Sequence, residues 1–495
     1  MRDWAALLLL AAAFGVALFF NGQYVPLLSA VTALLVLVMA LAVVPGVRQG
    51  WRVPRSGALL WLVVFWVFLA VSLAWSTVIH TSHLYYWWLS ALPLTAFALL
   101  LAPSPLEWTQ RACRGLGLAA GGLAGWALVQ FFAFPEAYNY RAPGPLLNPN
   151  NLAGLFNLVL LPVLAGWLRA DGARRRRVLF GLSLLLFAGV VATQSRGGLI
   201  GLGLGLLVLA LWGGGLRRRG WQPALGWFAA AAAIFTVMDW WSGAALGQRV
   251  ETLGAIGAQS SVHTRLLTWQ SAWAMVQDHP WLGTGLGTFF LYFPRYRHPD
   301  DGSGGFYAHM DPLQFWVETG VLGPVLFYAF LTAVLVLTVR AARRTSAGSA
   351  LRLEIIGPFA GLLAVAVHTH ITFHLYVLPI LIAGGIILAR WHLACEVALQ
   401  QERKEVALPA RAHGGVWRGI VVGMVALVFI SAGSPGMADR ALAWGRQAVA
   451  DGQYEQALRH FHTARALAPA SDSPFALGAE IRQAALANGG GSLEP

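Results

Sequence analysis

Apolar runs of bilayer length recur from one end of the chain to the other, and they decide the fold class before any motif is considered. They lie near 4–20, 25–44, 57–76, 84–101, 115–134, 152–168, 178–193, 197–212, 221–238, 312–339, 353–373, 376–393 and 416–432. About twenty apolar residues cross a hydrocarbon core as a helix, and a helix satisfies its backbone polar groups internally. The expectation is an all-α polytopic integral membrane protein with about 13 transmembrane helices. Composition agrees. Of 495 residues, 57% are hydrophobic and 11% charged, where soluble domains carry about a quarter.

The formal net charge of +13 would suit a nucleic-acid binder if the arginines formed one surface. Instead they fall in short clusters between spans. With the N-terminus in the cytoplasm, Arg48, Arg52, Arg55, Arg111, Arg114, Arg174 to Arg177 and Arg217 to Arg219 all face inside. So do Arg340, Arg343, Arg344, Arg403, Lys404, Arg411 and Arg418. This is the positive-inside pattern, and it leaves no nucleic acid among the expected partners. The first run, from Trp4 to Phe20, lacks a small-residue cleavage site and reads as a span. Cys113 and Cys395 lie beside arginine-rich segments, on the reducing side, and read as inert.

Three regions follow from the count. Residues 1–432 form the membrane domain, with a long outer loop at 239–311. Residues 438–487 form an outer tail, and GGGSLEP (489–495) reads as the remnant of an appended linker. In the tail, Gly445, Gly452, Tyr454, Ala457, Phe461, Ala464 and Pro469 sit at the spacing of one tetratricopeptide repeat. The stretch Pro474 to Ala487 reads as a further amphipathic helix. One repeat cannot bury its own face, so the tail is expected to dock on the membrane domain, a partner or a continuation.

Polar residues at the outer face break the charge rule. Arg196 sits in the tight turn TQSRGG, and Arg141 in the loop NYRAPGPLLNPNNLAG. The outer loop balances Arg249, Arg265, Arg295 and Arg297 against six carboxylates, so it is no basic surface. An arginine there serves loop packing or an anion. Arg265 falls in the first turn of an amphipathic helix, SSVHTRLLTWQSAWAMVQDHP, capped by Ser260 or Ser261. Pairing with an acid, snorkelling and anion binding all remain open for it. The glycine-rich WLGTGLGTFF follows no strand and has no Lys-Ser/Thr pair, so it reads as a tight turn and not a nucleotide loop.

In YAHMDPLQFWVETGVLG (307–323), Asp311 suits an N-cap, Pro312 the first helical position and Gln314 the capping-box partner. One long helix is expected from Pro312, with His309 just ahead of its positive end. An anionic group is favoured there, and an imidazole can take a proton from a hydroxyl or hold a phosphate oxygen. Asn148 and Asn150 open another span, either as caps or as hydrogen-bond partners of sugar or phosphate. His368, His370 and His374 are expected as polar packing at an outer membrane edge rather than as a metal site.

Four stretches together resemble the O-antigen ligase and polymerase superfamily of bacterial membrane glycosyltransferases. They are NPNNLAGL, TQSRGGLIGL, HTRLLTWQSAWAMVQDHPWLGTGLGTFF and HMDPLQFWVETGVLG, in the family's order across about residues 140 to 325. The family's amide or hydroxyl after the histidine is replaced here by Met310, while the spacing from His309 to Gly320 is kept. The resemblance implies an inner-membrane glycosyltransferase with a periplasmic tail. It would move a glycan from undecaprenyl diphosphate to an acceptor hydroxyl at the periplasmic face. Arg196 and Arg265 would hold the diphosphate, and His309 would act as base or third phosphate ligand. Arg141, Asn148, Asn150 and Asp311 complete the expected substrate contacts; no cofactor and no metal are expected. The acceptor is another lipid-linked repeat, lipid A core or a protein side chain. Repeat polymerisation is favoured because a thirteenth span and an external tail depart from the ligase pattern. Membrane lipids and a periplasmic protein bound through the tail are the other expected partners. A polytopic transporter or flippase is the alternative from another class, and it would predict internal symmetry that the sequence lacks.

Overall fold

Helices make up nearly all of the regular structure in the computed structural model, which describes residues 2–20, 25–46, 50–215, 220–244, 247, 261–406, 414–471 and 473–487. Among them, twelve helical segments are long and apolar enough to cross a membrane. In chain order the helices are α1 (Arg2–Phe20), α2 (Val25–Val43), α3 (Gly57–Ser72), α4 (Ile79–Leu89), α5 (Ala91–Leu101) and α6 (Pro105–Ala133). There follow α7 (Pro149–Arg169), α8 (Ala173–Thr193), α9 (Arg196–Gly213), α10 (Gln222–Trp241), α11 (Ser261–Asp278) and α12 (Phe289–Tyr296). The rest are α13 (Asp311–Thr319), α14 (Leu322–Arg343), α15 (Ala350–His368), α16 (Leu378–Leu399), α17 (Gly414–Ala450), α18 (Tyr454–Leu467) and α19 (Ser473–Ala487). Helix α1 is a shorter apolar helix, and α4 with α5 make one span. An all-α polytopic membrane fold was expected, and it is found.

The centre of the bundle is built on α7 and α16, which are buried on almost every side, as their all-round apolar sequences require. Small residues let α15 approach both α7 and α9 closely. A Cβ on Gly361 would stand 2.8 Å from the Leu158 carbonyl oxygen, and one on Gly201 would stand 2.7 Å from that of Ala364. Side chains close several helix starts. The Oγ of Ser56 accepts from Leu59 N, and that of Ser349 from Arg352 N, both at 3.2 Å.

The two ends of the bundle differ in charge. At one end Arg169 and Arg390 share Glu354, Arg403 pairs with Glu396, and Arg52 pairs with Glu405. The last pair crosses a two-stranded antiparallel sheet, β1 (Trp51–Val53) with β2 (Lys404–Val406). The other end carries the loops before α7, α9, α13 and α16. Arg48, Arg217 to Arg219, Arg249, Arg411 and Ser260 lie outside the described residues, as do 489–495.

Two expectations about the helix that begins near Pro312 are corrected. It is not one span: α13 ends at Thr319 and α14 begins at Leu322. Gly320 turns the chain at φ +73°, where a Cβ would run into the Trp281 carbonyl. Nor does Asp311 cap it. Met310 is the N-cap residue and gives no side-chain hydrogen bond. At the far end of the chain, α17 runs unbroken for 37 residues through the expected boundary between membrane domain and tail, despite Pro435. Its last turns pack with α18 and α19 around Leu442, Phe461, Leu477 and Ile481, apart from the main core.

Candidate active site

The loop-rich end is organised first by two helix starts. The Asn148 side chain accepts from Asn150 N at 2.9 Å and Asn151 N at 3.4 Å, so it is a cap of α7. The side-chain oxygen of Asn150 accepts from Ser195 Oγ at 2.8 Å and from Arg141 Nη2 at 3.5 Å. Ser195 in turn caps α9 through Gly198 N at 3.1 Å. Arg141, Asn148, Asn150 and Arg196 therefore belong to one patch. Arg196 occupies the first position of α9, where the macrodipole opposes a cation and favours an anion.

The second half comes from the outer loop. Trp269 Nε1 donates to the Ala308 carbonyl at 2.9 Å, which fixes α11 against the segment that carries His309. Arg265 lies one turn earlier on the same face. Burial lowers the pKa of its guanidinium, and the charge of Arg196 lowers it further. His309 has φ +54°, in the left-handed region, and packs edge-on against Phe373 with ring centroids 5.1 Å apart. Burial pushes its pKa down to about 4, Arg265 adds to that, and Asp301 opposes it. The imidazole is therefore neutral at pH 7. Among the described residues its Nδ1 is buried without a hydrogen-bond partner. Asp301 is buried against Ser303 N and Oγ at 2.7 and 2.9 Å, while Asp300 is exposed. The structure thus gathers two guanidiniums and a neutral imidazole, an arrangement that invites a multiply charged anion.

Below Arg196 lies a layer of buried polar side chains. His368 and His374 meet edge-on at 4.4 Å. Each replaces a missing side chain: a Cβ on Gly197 would stand 2.5 Å from His368, and one on Gly154 the same distance from His374. His370 leaves the group and bonds Tyr328 Oη at 2.8 Å. Among the described residues no three His, Cys, Asp or Glu side chains are placed to hold a metal.

Comparison with known families bears on this end of the molecule. Residues 153–328 match the family model described as O-Antigen ligase. The match covers about a third of the chain and supports the ligase/polymerase superfamily, with a glycan-transfer role in O-antigen or lipopolysaccharide assembly. Arg196, Arg265, His309 and Asp311 lie inside it; Arg141, Asn148, Asn150, His368 and His374 lie outside. No curated protein matches the chain.

Within the matched O-antigen ligase region, the frame that holds His309 was not foreseen from sequence. Glu318 accepts from Gly287 N at 2.8 Å, Tyr376 Oη at 2.7 Å and Gln314 Nε2 at 2.9 Å. The Gln314 oxygen accepts from Ala308 N at 3.0 Å. Burial raises Glu318 to about 7. The one available signal was a lone carboxylate in an otherwise apolar stretch, four residues after Gln314. Asp311 is part of the same frame. Its carboxyl accepts from Thr369 Oγ1 and from Leu375 N, the latter at 2.9 Å, and burial raises it to about 8. It faces the 369–375 loop rather than the helix start.

An apolar cleft of about 410 Å³ reaches this frame from the side of the bundle, between α9, α14, α15 and α16. Thr369 and Leu375 line its end at the site; Trp212 and Leu388 line it farther along.

Proposed function

We propose that this protein transfers a glycan from undecaprenyl diphosphate to an acceptor hydroxyl, with inversion at the anomeric carbon and without a metal. The observation that carries the reading is the pairing of Arg196 and Arg265 beside a neutral His309. The acceptor oxygen attacks the anomeric carbon while the bond from that carbon to the diphosphate oxygen breaks. The leaving diphosphate takes up the developing negative charge, and planar guanidiniums with several donors suit it. The acceptor proton passes to His309. Arg265 depresses the basicity of His309 in the free site, and a bound diphosphate offsets that charge and makes the imidazole a better base. The apolar cleft beside Thr369 and Leu375 suits a polyprenyl chain. By the positive-inside rule, the arginine-rich end is cytoplasmic and the site faces the periplasm of a bacterial inner membrane.

Polymerisation of lipid-linked repeats is the form we favour, because the chain carries α17 to α19 beyond the spans that the site needs. We read that tail as a tetratricopeptide-like module for a periplasmic protein. The description of the matched family favours a second reading, ligation to lipid A core. Purified protein given an undecaprenyl-diphosphate-linked repeat, in the presence of EDTA, tests both. A ladder of repeats from donor alone means polymerase, whereas product that requires added lipid A core means ligase. No transfer to either acceptor, with or without a divalent metal, would sink the proposal.

A further inference from the structure

A cavity of about 620 Å³ opens at the arginine-rich end, far along the bundle from the candidate site, between α6, α7, α8, α15 and α16. Four guanidiniums line it, those of Arg114, Arg169, Arg175 and Arg390, against the single carboxylate of Glu354. Glu354 is already shared by Arg169 and Arg390. Arg169 lies close enough to Arg390 and Arg175 to feel the charge of both. Arg114 and Arg175 stand exposed at the rim. Below the rim the walls turn apolar, with Val159, Pro162, Leu179 and Leu182. Leu118, at the edge, is 78% exposed on the face that a bilayer would cover.

An adjoining cavity of about 730 Å³ shows what this one is not. There Arg52, Arg390 and Arg403 meet Glu354, Glu396 and Glu405, so its charges balance and give no preference for an anion. The smaller cavity has an excess of cations at its mouth and hydrocarbon below. A free anion would use only the mouth, and a neutral lipid only the walls. A phosphodiester that carries acyl chains uses both.

We propose that this cavity binds one anionic phospholipid from the leaflet on the arginine-rich side. Its phosphate lies among Arg114, Arg169 and Arg175, and an acyl chain lies along Leu179 and Leu182. The lipid would tie α6 to α8 across a gap that protein side chains leave open, and so stabilise the folded chain by mass action.

The test uses the full-length chain in a neutral detergent, with phosphatidylglycerol, phosphatidylcholine or inorganic phosphate added. Bound lipid is read by native mass spectrometry and stability by melting temperature. Phosphatidylglycerol is expected to bind and to raise the melting temperature, and the other two are not. The double variant R114Q/R175Q should bind phosphatidylglycerol about tenfold more weakly or worse, since each basic residue near a lipid surface contributes appreciably. R343Q/R344Q removes the same charge from exposed positions away from the cavity and should bind as the parent does. If the double variant does not fold, the single exposed-site variants R114Q and R175Q are measured, each with about a threefold loss expected. Equal loss in R343Q/R344Q, or undiminished binding in the R114Q and R175Q variants, overturns the proposal. So does a stabilisation by inorganic phosphate that matches the lipid's, which would make this a soluble-anion site, or equal binding of phosphatidylcholine.

Discussion

A cation in the first turn of a helix is held against the macrodipole at a cost of about 0.3–1 kcal/mol. Arg196 bears that cost, and Arg265 stands close enough to add repulsion. Replacing either arginine by glutamine should lower transfer by about a hundredfold or more. Single-turnover rates measure that loss, and thermal shift on the same preparations separates it from a loss of folding. His309 supplies a pH signature. Its pKa is depressed to about 4, so the acid limb of kcat/KM, which reports the free enzyme, should lie well below the usual 6.5. The same depression makes the native state resist protonation that the unfolded chain accepts. His309 therefore costs nothing above pH 6.5, and stability is lost progressively as pH falls from 6.5 through 4. H309N should abolish the acid limb. Asp311 shifts the other way, to about 8, and is protonated at neutral pH. Its contribution is fully present below pH 3.8 and lost as pH rises through 8. D311N should fold as well as the parent at pH 7, whereas D311A should lose about 1–3 kcal/mol by leaving Leu375 N and Thr369 Oγ1 unpaired.

At the scale of elements, α13 is the frame of the site. Nine residues long, it is held by Glu318 to the 284–287 turn and to Tyr376, and by Asp311 to the 369–375 loop. Gly320 separates it from α14, at a φ that other residues resist and against a carbonyl that excludes a Cβ. G320A should cost at least about 2–3 kcal/mol and displace His309, so denaturation midpoint and transfer rate should fall together. These elements mark the limit of what the sequence discloses. Hydrophobic length marked most of the spans, and arginines that break the charge pattern singled out Arg196, Arg265 and Arg141 as candidates. Position before a helix singled out His309 as another. The Asp-Pro pair carried a genuine local cap signal, yet the carboxyl is captured by a loop more than fifty residues away. The break at Gly320 was invisible for the same reason, because the Trp281 carbonyl that enforces it comes from another part of the chain. Periodicity says nothing about Glu318, two of whose three partners, Gly287 and Tyr376, lie on other segments of the chain.

Across the whole molecule, one end concentrates arginines and the other concentrates the candidate chemistry, with about a bilayer's depth of apolar helix between them. The tail is joined to this body by the continuous α17 but has its own small core of Leu442, Phe461, Leu477 and Ile481. Ending the chain at Gly452 should therefore leave folding of the spans and single-turnover transfer near parental values in detergent, while any protein bound through the tail is lost from pull-downs. At the loop-rich end, we propose, Arg196, Arg265 and His309 form one site for a lipid-linked diphosphate. The most direct test is single-turnover transfer by purified parent, R196Q, R265Q and H309N proteins, with an undecaprenyl-diphosphate-linked glycan, EDTA present, and both products quantified. The parent should yield inverted glycan product and free undecaprenyl diphosphate in equal amounts, and the two arginine variants should turn over about a hundredfold more slowly or worse. Arginine variants that turn over within a few-fold of the parent would show that the diphosphate is held elsewhere.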